Sequence, residues 1–151
     1  MEIIQYPNPI LKKEVKKVGR IDKNIKQIIK QMKEIMVKES GIGLSANQIG
    51  IDLAIFIAKP KDKFYFFINP EIIETKGEEL KEEGCLSIAN KYGIVKRAKE
   101  VKIKYQTLSR KEKTMKAKGL LAHIIQHEYD HLKGILFIDK AVEIYDINSN
   151  D

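Results

Sequence analysis

Gln126-His127-Glu128-Tyr129-Asp130-His131 sets two histidines four residues apart with a glutamate between them. On a helix, residues at i and i+4 share one face with Cβ atoms roughly 5–6 Å apart. Both imidazoles can then close on one cation while the Glu128 carboxylate stands beside it, the layout of a hydrolytic metal centre. Helices that merely bury two hydrogen-bonded histidines carry the same spacing, so a third ligand decides the matter. There are three candidates. His123 is eight residues from His131, about 12 Å of helix rise, too far for three imidazoles to converge on one ion with bonds of about 2.0 Å; it reads as a pocket wall. Glu143 follows twelve residues after His131, in a polar tail. Cys85, the only cysteine, sits in Glu83-Gly84-Cys85-Leu86-Ser87 at a strand end, and thiolate is a strong ligand for zinc or ferrous iron. Its alternative is an inert buried thiol.

The elements that must position these groups follow from periodicity. The final helix starts around Gly119 and stops near Gly134, a natural residue for the position after a helix. Projected at about 100° per residue, Leu120, Leu121, Ile124, Ile125 and Leu132 share a broad arc with His127, Glu128 and His131, while Gln126, Tyr129 and Lys133 fall on the other side. The histidine pair therefore belongs to an inward face. An earlier amphipathic helix follows Asp22, a good N-cap, with Ile25, Ile28, Ile29, Met32, Ile35 and Met36 at helical spacing, and ends near Ser40-Gly41. The glycine-punctuated stretch from Gly41 to Gly50 reads as a functional loop. From Ile51 to about Thr107, short runs such as Leu53–Ile57 and Lys63–Ile68, broken by Pro60, Asn69-Pro70 and Gly77, read as strands and turns. Val101–Tyr105 alternates as a half-exposed strand.

Composition bounds the rest. A chain of 151 residues, 43% hydrophobic, suits one globular domain over 1–151. One cysteine excludes an internally disulfide-bonded scaffold. The first residues resemble no secretory signal and no segment reaches membrane-spanning length, so a cytoplasmic protein without membrane contact is expected. The net charge of +7 is mostly lysine, since the arginines are Arg20, Arg97 and Arg110. It fits proximity to an RNA-rich surface or a solvated coat. Interruption by acidic residues, as in Arg110-Lys111-Glu112-Lys113, and the lack of an aromatic-interleaved patch favour the coat and no specific nucleic acid.

Three segments, Gly41-Ile42-Gly43-Leu44-Ser45-Ala46-Asn47-Gln48, Glu83-Gly84-Cys85-Leu86-Ser87 and Gln126-His127-Glu128-Tyr129-Asp130-His131, resemble in order and approximate separation the signature motifs of peptide deformylases. The opening Tyr6-Pro7-Asn8-Pro9-Ile10-Leu11 and the ending Gly134-Ile135-Leu136-Phe137-Ile138-Asp139 are similar to that family too. The resemblance implies an enzyme that removes formate from the formylmethionine of nascent peptides. It makes Cys85, His127 and His131 the metal ligands, with ferrous iron as cofactor and nickel, cobalt or zinc as substitutes, and Glu128 the acid/base. It also makes the Gln48 amide and the Leu86 backbone N–H the oxyanion donors. Ile42, Gly43 and Gly84 would pair with the extended peptide and Arg97 would hold its carbonyl or carboxylate end. Ile42, Leu120, His123 and Ile124 would wall the methionine pocket. The expected fold is α+β, one domain of antiparallel or mixed sheet around a central metal-binding C-terminal helix, with an N-terminal amphipathic helix.

Departures from the family pattern are Ser45 for a common alanine, expected to change little, and Ala89 for a common proline, expected to loosen the peptide-facing edge. A short tail ending Asn148-Ser149-Asn150-Asp151 lacks the longer helix of some bacterial members, which weakens the case for ribosome contact made through such a helix. Other readings explain less. A zincin-like endopeptidase leaves Cys85 and the Gln48 loop without a role, a silent RNA-binding module leaves the whole motif without one, and a structural metal domain leaves Glu128 idle.

Overall fold

The computed structural model of the chain describes residues 2–147. The first long helix, α1 (Lys23–Lys38), begins where Asp22 Oδ1 accepts from the backbone N–H of Asn24 and Ile25, and it buries Ile25, Ile28, Ile29, Met32 and Met36. It stops where Ser40 takes a positive φ and Gly41 N–H bonds back to Met36 O at 2.9 Å.

Two antiparallel sheets follow. The larger contains β1 (Gly43–Ser45), β2 (Ile55–Ala58), β3 (Tyr65–Lys76), β6 (Glu100–Gln106) and β7 (Glu112–Lys118) in the order β1-β2-β3-β6-β7. The smaller contains β4 (Glu79–Cys85), β5 (Ile88–Arg97) and β8 (Glu143–Asp146), with β5 in the middle. Helix α2 (Gly119–Leu132) runs into a short α3 (Phe137–Lys140). The continuous apolar run of β2 is explained by burial on both faces: Ile55 and Ile57 pack with α1, while Phe56 and Ala58 pack with Ala122, Ile124 and Ile125 of α2. The larger sheet thus has α1 on one face and α2 on the other. A third cluster, Leu11, Ile88, Val95, Leu136 and Phe137, ties the smaller sheet to α3. This is the expected α+β fold with antiparallel sheets, and no helix among the described residues is long and apolar enough to cross a membrane.

Three expectations need correction, and one strand was not foreseen. The stretch from Gly41 to Gly50 is not a plain loop: β1 pairs with β2, and a 3-10 helix (Ala46–Ile49) ends at Gly50, whose φ is 84°. Gln126 does not face outward; its Nε2 donates to Ala98 O (2.9 Å) and its Oε1 accepts from Ala98 N (2.8 Å), because a helix packed on the sheet while also reaching the end of β5 has little solvent face. Glu143 lies in β8, which is exposed along its length. Strand β7 was hidden because its apolar residues are only Met115 and Ala117 among lysines, the composition of a protected edge. The tail from Asn148 lies outside the described residues.

Candidate metal centre

Strand β4 and helix α2 bring the sequence-predicted ligands together. Cys85 Sγ lies 3.2 Å from His131 Nε2, which lies 3.2 Å from His127 Nε2, and the three donor atoms fall within 4.8 Å of one another. Bonds of about 2.0–2.1 Å to nitrogen and about 2.3 Å to sulfur at tetrahedral angles require donor separations of roughly 3.3–3.6 Å, so the spacing fits one ion. His127 Nδ1 is 2.7 Å from Glu83 Oε1. With that nitrogen donating, Nε2 carries its lone pair toward the other two donors. Burial disfavours a charge on His131, and the neighbouring His127 lowers its pKa further, the direction that suits an imidazole able to hold a metal. Burial acts on His127 in the same direction, but Cys85, Glu83 and Glu128 outweigh it and raise the imidazole well above its usual range. Cys85, Glu83 and Glu128, the groups that favour a charge on His127, would favour a bound cation in the same way.

Glu83 is the junction of the site. Its two oxygens take Arg97 Nε (2.5 Å), Arg97 Nη2 (2.8 Å), His123 Nε2 (2.7 Å) and His127 Nδ1 (2.7 Å). Burial alone would raise this carboxyl, yet the bonds to Arg97, His123 and His127 hold it far below the usual carboxylate range. Arg97 also donates to Asp130 Oδ2 at 2.7 Å, and Lys140 Nζ donates to Asp130 Oδ1 at 3.1 Å. The expected role of Arg97 as a clamp on the peptide end is therefore corrected. Its side chain is 3% exposed and is spent on two carboxylates behind the ligands.

In front of the donors opens a cleft of about 580 Å³. Its lining includes Cys85, His127, Glu128, Gln48 and Leu86, together with Ile42, Gly43, Gly84, Leu120, His123 and Ile124. His131 lies beneath its floor, 1% exposed. The cleft runs between two sheet edges, β1 on one side and β4 on the other. Glu128 is 4% exposed, its Oε1 has no partner among the described residues, and its Oε2 lies 4.0 Å from His127 Nε2. Burial pushes its carboxyl up to about 7, against the pull of His127.

The Gln48 side-chain amide is held at both ends. Its Oε1 accepts from Ser45 N at 3.0 Å, capping its own 3-10 helix, while its Nε2 donates to Ser87 Oγ (3.0 Å) and points at Cys85 Sγ (3.5 Å). Ser45 is correspondingly more than a small residue, because its hydroxyl reaches Gln48 Oε1 at 3.0 Å and Asn47 Oδ1 at 2.7 Å. Asn47 Nδ2 in turn donates to His131 O at 2.8 Å, locking this turn to α2. Ala89, expected at the peptide-facing edge, is exposed at the start of β5 and is absent from the cleft lining.

The family model for polypeptide deformylase matches residues 1–146. The chain belongs to the polypeptide deformylase family. A peptide deformylase of Dictyoglomus turgidum is 47% identical over 143 residues, covering 95% of this chain and 94% of that one. Peptide deformylase 1 of Bacillus anthracis is 39% identical over 98% of this chain and 96% of its own. Among solved structures, the Thermotoga maritima peptide deformylase superposes with a TM-score of 0.90 at 37% identity, covering 93% of this chain and 96% of that one. The Synechococcus elongatus enzyme in complex with actinonin gives 0.91 at 37% identity, covering 93% and 78%.

The motifs left several residues around the donor cluster unassigned. Glu83 carried no assignment from the sequence; both it and Cys85 reach the histidines of α2, but β4 shifts register between them, so simple strand alternation does not predict it. Tyr92 lines the cleft beside Gly84, where a Cβ would come within 2.9 Å of its ring; the pairing of Glu83 with Gly93 across the hairpin sets that neighbourhood. Asp130 lay inside the helix motif but carried no sign that it would receive Arg97.

Proposed function

We propose that this protein hydrolyses the N-formyl group from the formylmethionine that begins newly made polypeptides, releasing formate, and that residues 1–151 act as one catalytic domain. The observation that carries the reading is the convergence of Cys85, His127 and His131 at the floor of a cleft that also presents Glu128 and the Gln48 amide. Family membership and the actinonin-bound relative support it.

Cys85, His127 and His131 would hold the ion, a divalent cation that supplies a Lewis acid able to bring the pKa of water from 15.7 to about 7. Ferrous iron is the ion proposed here, with zinc, nickel or cobalt as substitutes. Every other part belongs to the chain. Glu128 takes a proton from the attacking water and passes it to the leaving amine, and a carboxyl near neutrality suits both transfers. Gln48 Nε2, held by the anchoring of its own Oε1 on Ser45, donates to the developing oxyanion together with the Leu86 backbone N–H. The exposed edges at Gly43 and Gly84 pair with the extended peptide as an added strand. Ile42, Leu120, His123 and Ile124 enclose the methionine side chain. The enzyme works in the cytoplasm beside the ribosome, where formylated chains appear.

The test is formate release from formyl-Met-Ala-Ser by anaerobically prepared, iron-loaded protein, with an internally cleavable, N-terminally blocked peptide alongside. Formate from the first and no fragments from the second are expected. Fragments without formate would establish an endopeptidase.

A further inference from the structure

The net charge of the chain is not evenly spread. Helix α1 carries Lys23, Lys26, Lys30, Lys33 and Lys38 against a single carboxylate, Glu34. At about 100° per residue, Lys23, Lys26, Lys30 and Lys33 fall within an arc of roughly 80°, and the row they form is about 15 Å long. None of the four makes an ion pair among the described residues, although lysines elsewhere in the protein do. The row continues at both ends. Toward the helix start, Arg20 is exposed and Arg110, at the β6–β7 turn, donates from Nε to Ile21 O at 3.2 Å. At the other end, Lys33 and Lys59 place their ammonium groups 4.9 and 5.3 Å from the centroid of the same ring, Phe64. Lys59 N–H donates to Ile42 O at 2.7 Å, and Ile42 stands 48% exposed at the cleft.

Like charges aligned without partners favour a polyanion, whose bound counterions they displace. From Arg20 to Lys33 no large apolar side chain is exposed; farther along only Val37 on α1 and Ile42 at the cleft are, two isolated side chains rather than the continuous apolar face that insertion into a bilayer requires. Lysine rather than arginine lines the row, and lysine acts as a point charge without forked readout.

We propose that the outer face of α1, continued by Arg110 and Lys59, is a docking surface for RNA backbone, bound without sequence preference. It holds the cleft beside the RNA-rich particle from which formylated chains emerge, and in that respect it rests on the deformylase reading. One end of the surface meets the cleft wall at Ile42, so RNA held there lies next to the route of an incoming peptide.

The experiment measures fluorescence anisotropy of a labelled hairpin of ribosomal RNA sequence, titrated with metal-loaded protein across about 50–200 mM salt. Two triple charge reversals are compared, Lys23→Glu/Lys26→Glu/Lys30→Glu on α1 and Lys99→Glu/Lys116→Glu/Lys118→Glu at the far end of the larger sheet. Each removes the same charge from exposed positions. The α1 triple should weaken binding at least about tenfold and flatten the salt slope by about 2–3, near 0.7–0.9 for each phosphate no longer neutralised. The sheet triple should change affinity less than about threefold. A neutral Lys23→Gln/Lys26→Gln/Lys30→Gln protein should fall between wild type and the α1 reversal. Equal loss in both reversals, no binding by wild type at the lowest salt, or tighter binding to phosphatidylglycerol vesicles than to RNA would overturn the proposal. Turnover of formyl-Met-Ala-Ser should be unchanged in every variant. A wild-type protein that binds RNA through α1 but releases no formate would leave the surface standing and refute the catalytic reading instead.

Discussion

Gly43 offers the sharpest test of the site. The backbone of β1 passes so close to α2 that a methyl carbon added at Gly43 would sit 2.6 Å from Glu128 Oε2 and 2.8 Å from Ile124 Cγ2. Ordinary contact begins at 3.4 Å, so the carboxylate oxygen must yield by about 0.8 Å. Neither obstacle is free to swing into water, because both Glu128 and Ile124 are 4% exposed. A misplacement of about 1 Å in a reacting group costs on the order of 10²-fold. Gly43→Ala should therefore lower kcat for formyl-Met-Ala-Ser by about 10- to 100-fold. KM should move little, since the backbone groups that pair with peptide remain. Bound metal should stay near one per chain, because the atoms met by the added carbon belong to no ligand. Overpacking should cost about 1–3 kcal/mol, read as a lower Tm. Gly19→Ala is the control, since a Cβ there meets nothing within 4 Å. Unchanged kcat in Gly43→Ala would refute the placement of Glu128 as the proton carrier, and loss of metal would refute the ligand set.

Glu128→Ala should keep its metal, measured by plasma emission, while losing most activity; a metal-free folded protein would make Glu128 a ligand instead. Cys85→Ser should lower metal content sharply, because a hydroxyl replaces thiolate poorly, and full occupancy with normal turnover would remove Cys85 from the set. Glu83→Gln should weaken metal affinity by about 10- to 100-fold in chelator competition and lower Tm, since buried Arg97 loses one of its two anions; unaltered affinity would show that Glu83 does not orient His127. His123→Ala should retain metal and change KM, or the preference among first side chains, more than kcat. Its ring borders the cleft and bonds Glu83, outside the donor cluster.

The parts of this molecule that were legible in its sequence are those whose information is local. The spacing of Ile25, Ile28, Ile29, Met32 and Met36 after Asp22 needs only helical period and a capping oxygen, and α1 starts and packs accordingly. His127 and His131 four apart, facing inward among leucines and isoleucines, needed no more. Strands β7 and β8 escaped because edge strands with polar faces carry no apolar alternation, and their pairing with β6 and β5 supplies the order that their composition does not. Gln126 escaped for a related reason. A helical projection assumes one solvent face, whereas the outer side of α2 meets the backbone of Ala98.

Arg97 shows why a motif alone misplaces a charge. A cation at a strand end near a peptide cleft is a reasonable clamp when only its own strand is considered. The groups that claim it lie 14 and 33 residues away along the chain, at Glu83 and Asp130. Glu83 comes within reach through the antiparallel pairing of β4 with β5, and Asp130 through the seating of α2. Once there, burial forces the pairing, because an isolated charge in that position costs several kcal/mol. Glu83 then holds β5 through Arg97 and α2 through His123 and His127, while its own strand carries Cys85 two residues on. Ion affinity, closure of the hairpin on the helix and the shape of the cleft wall at His123 are consequently coupled through one carboxylate. A substitution that loosens any one of them shifts the other two.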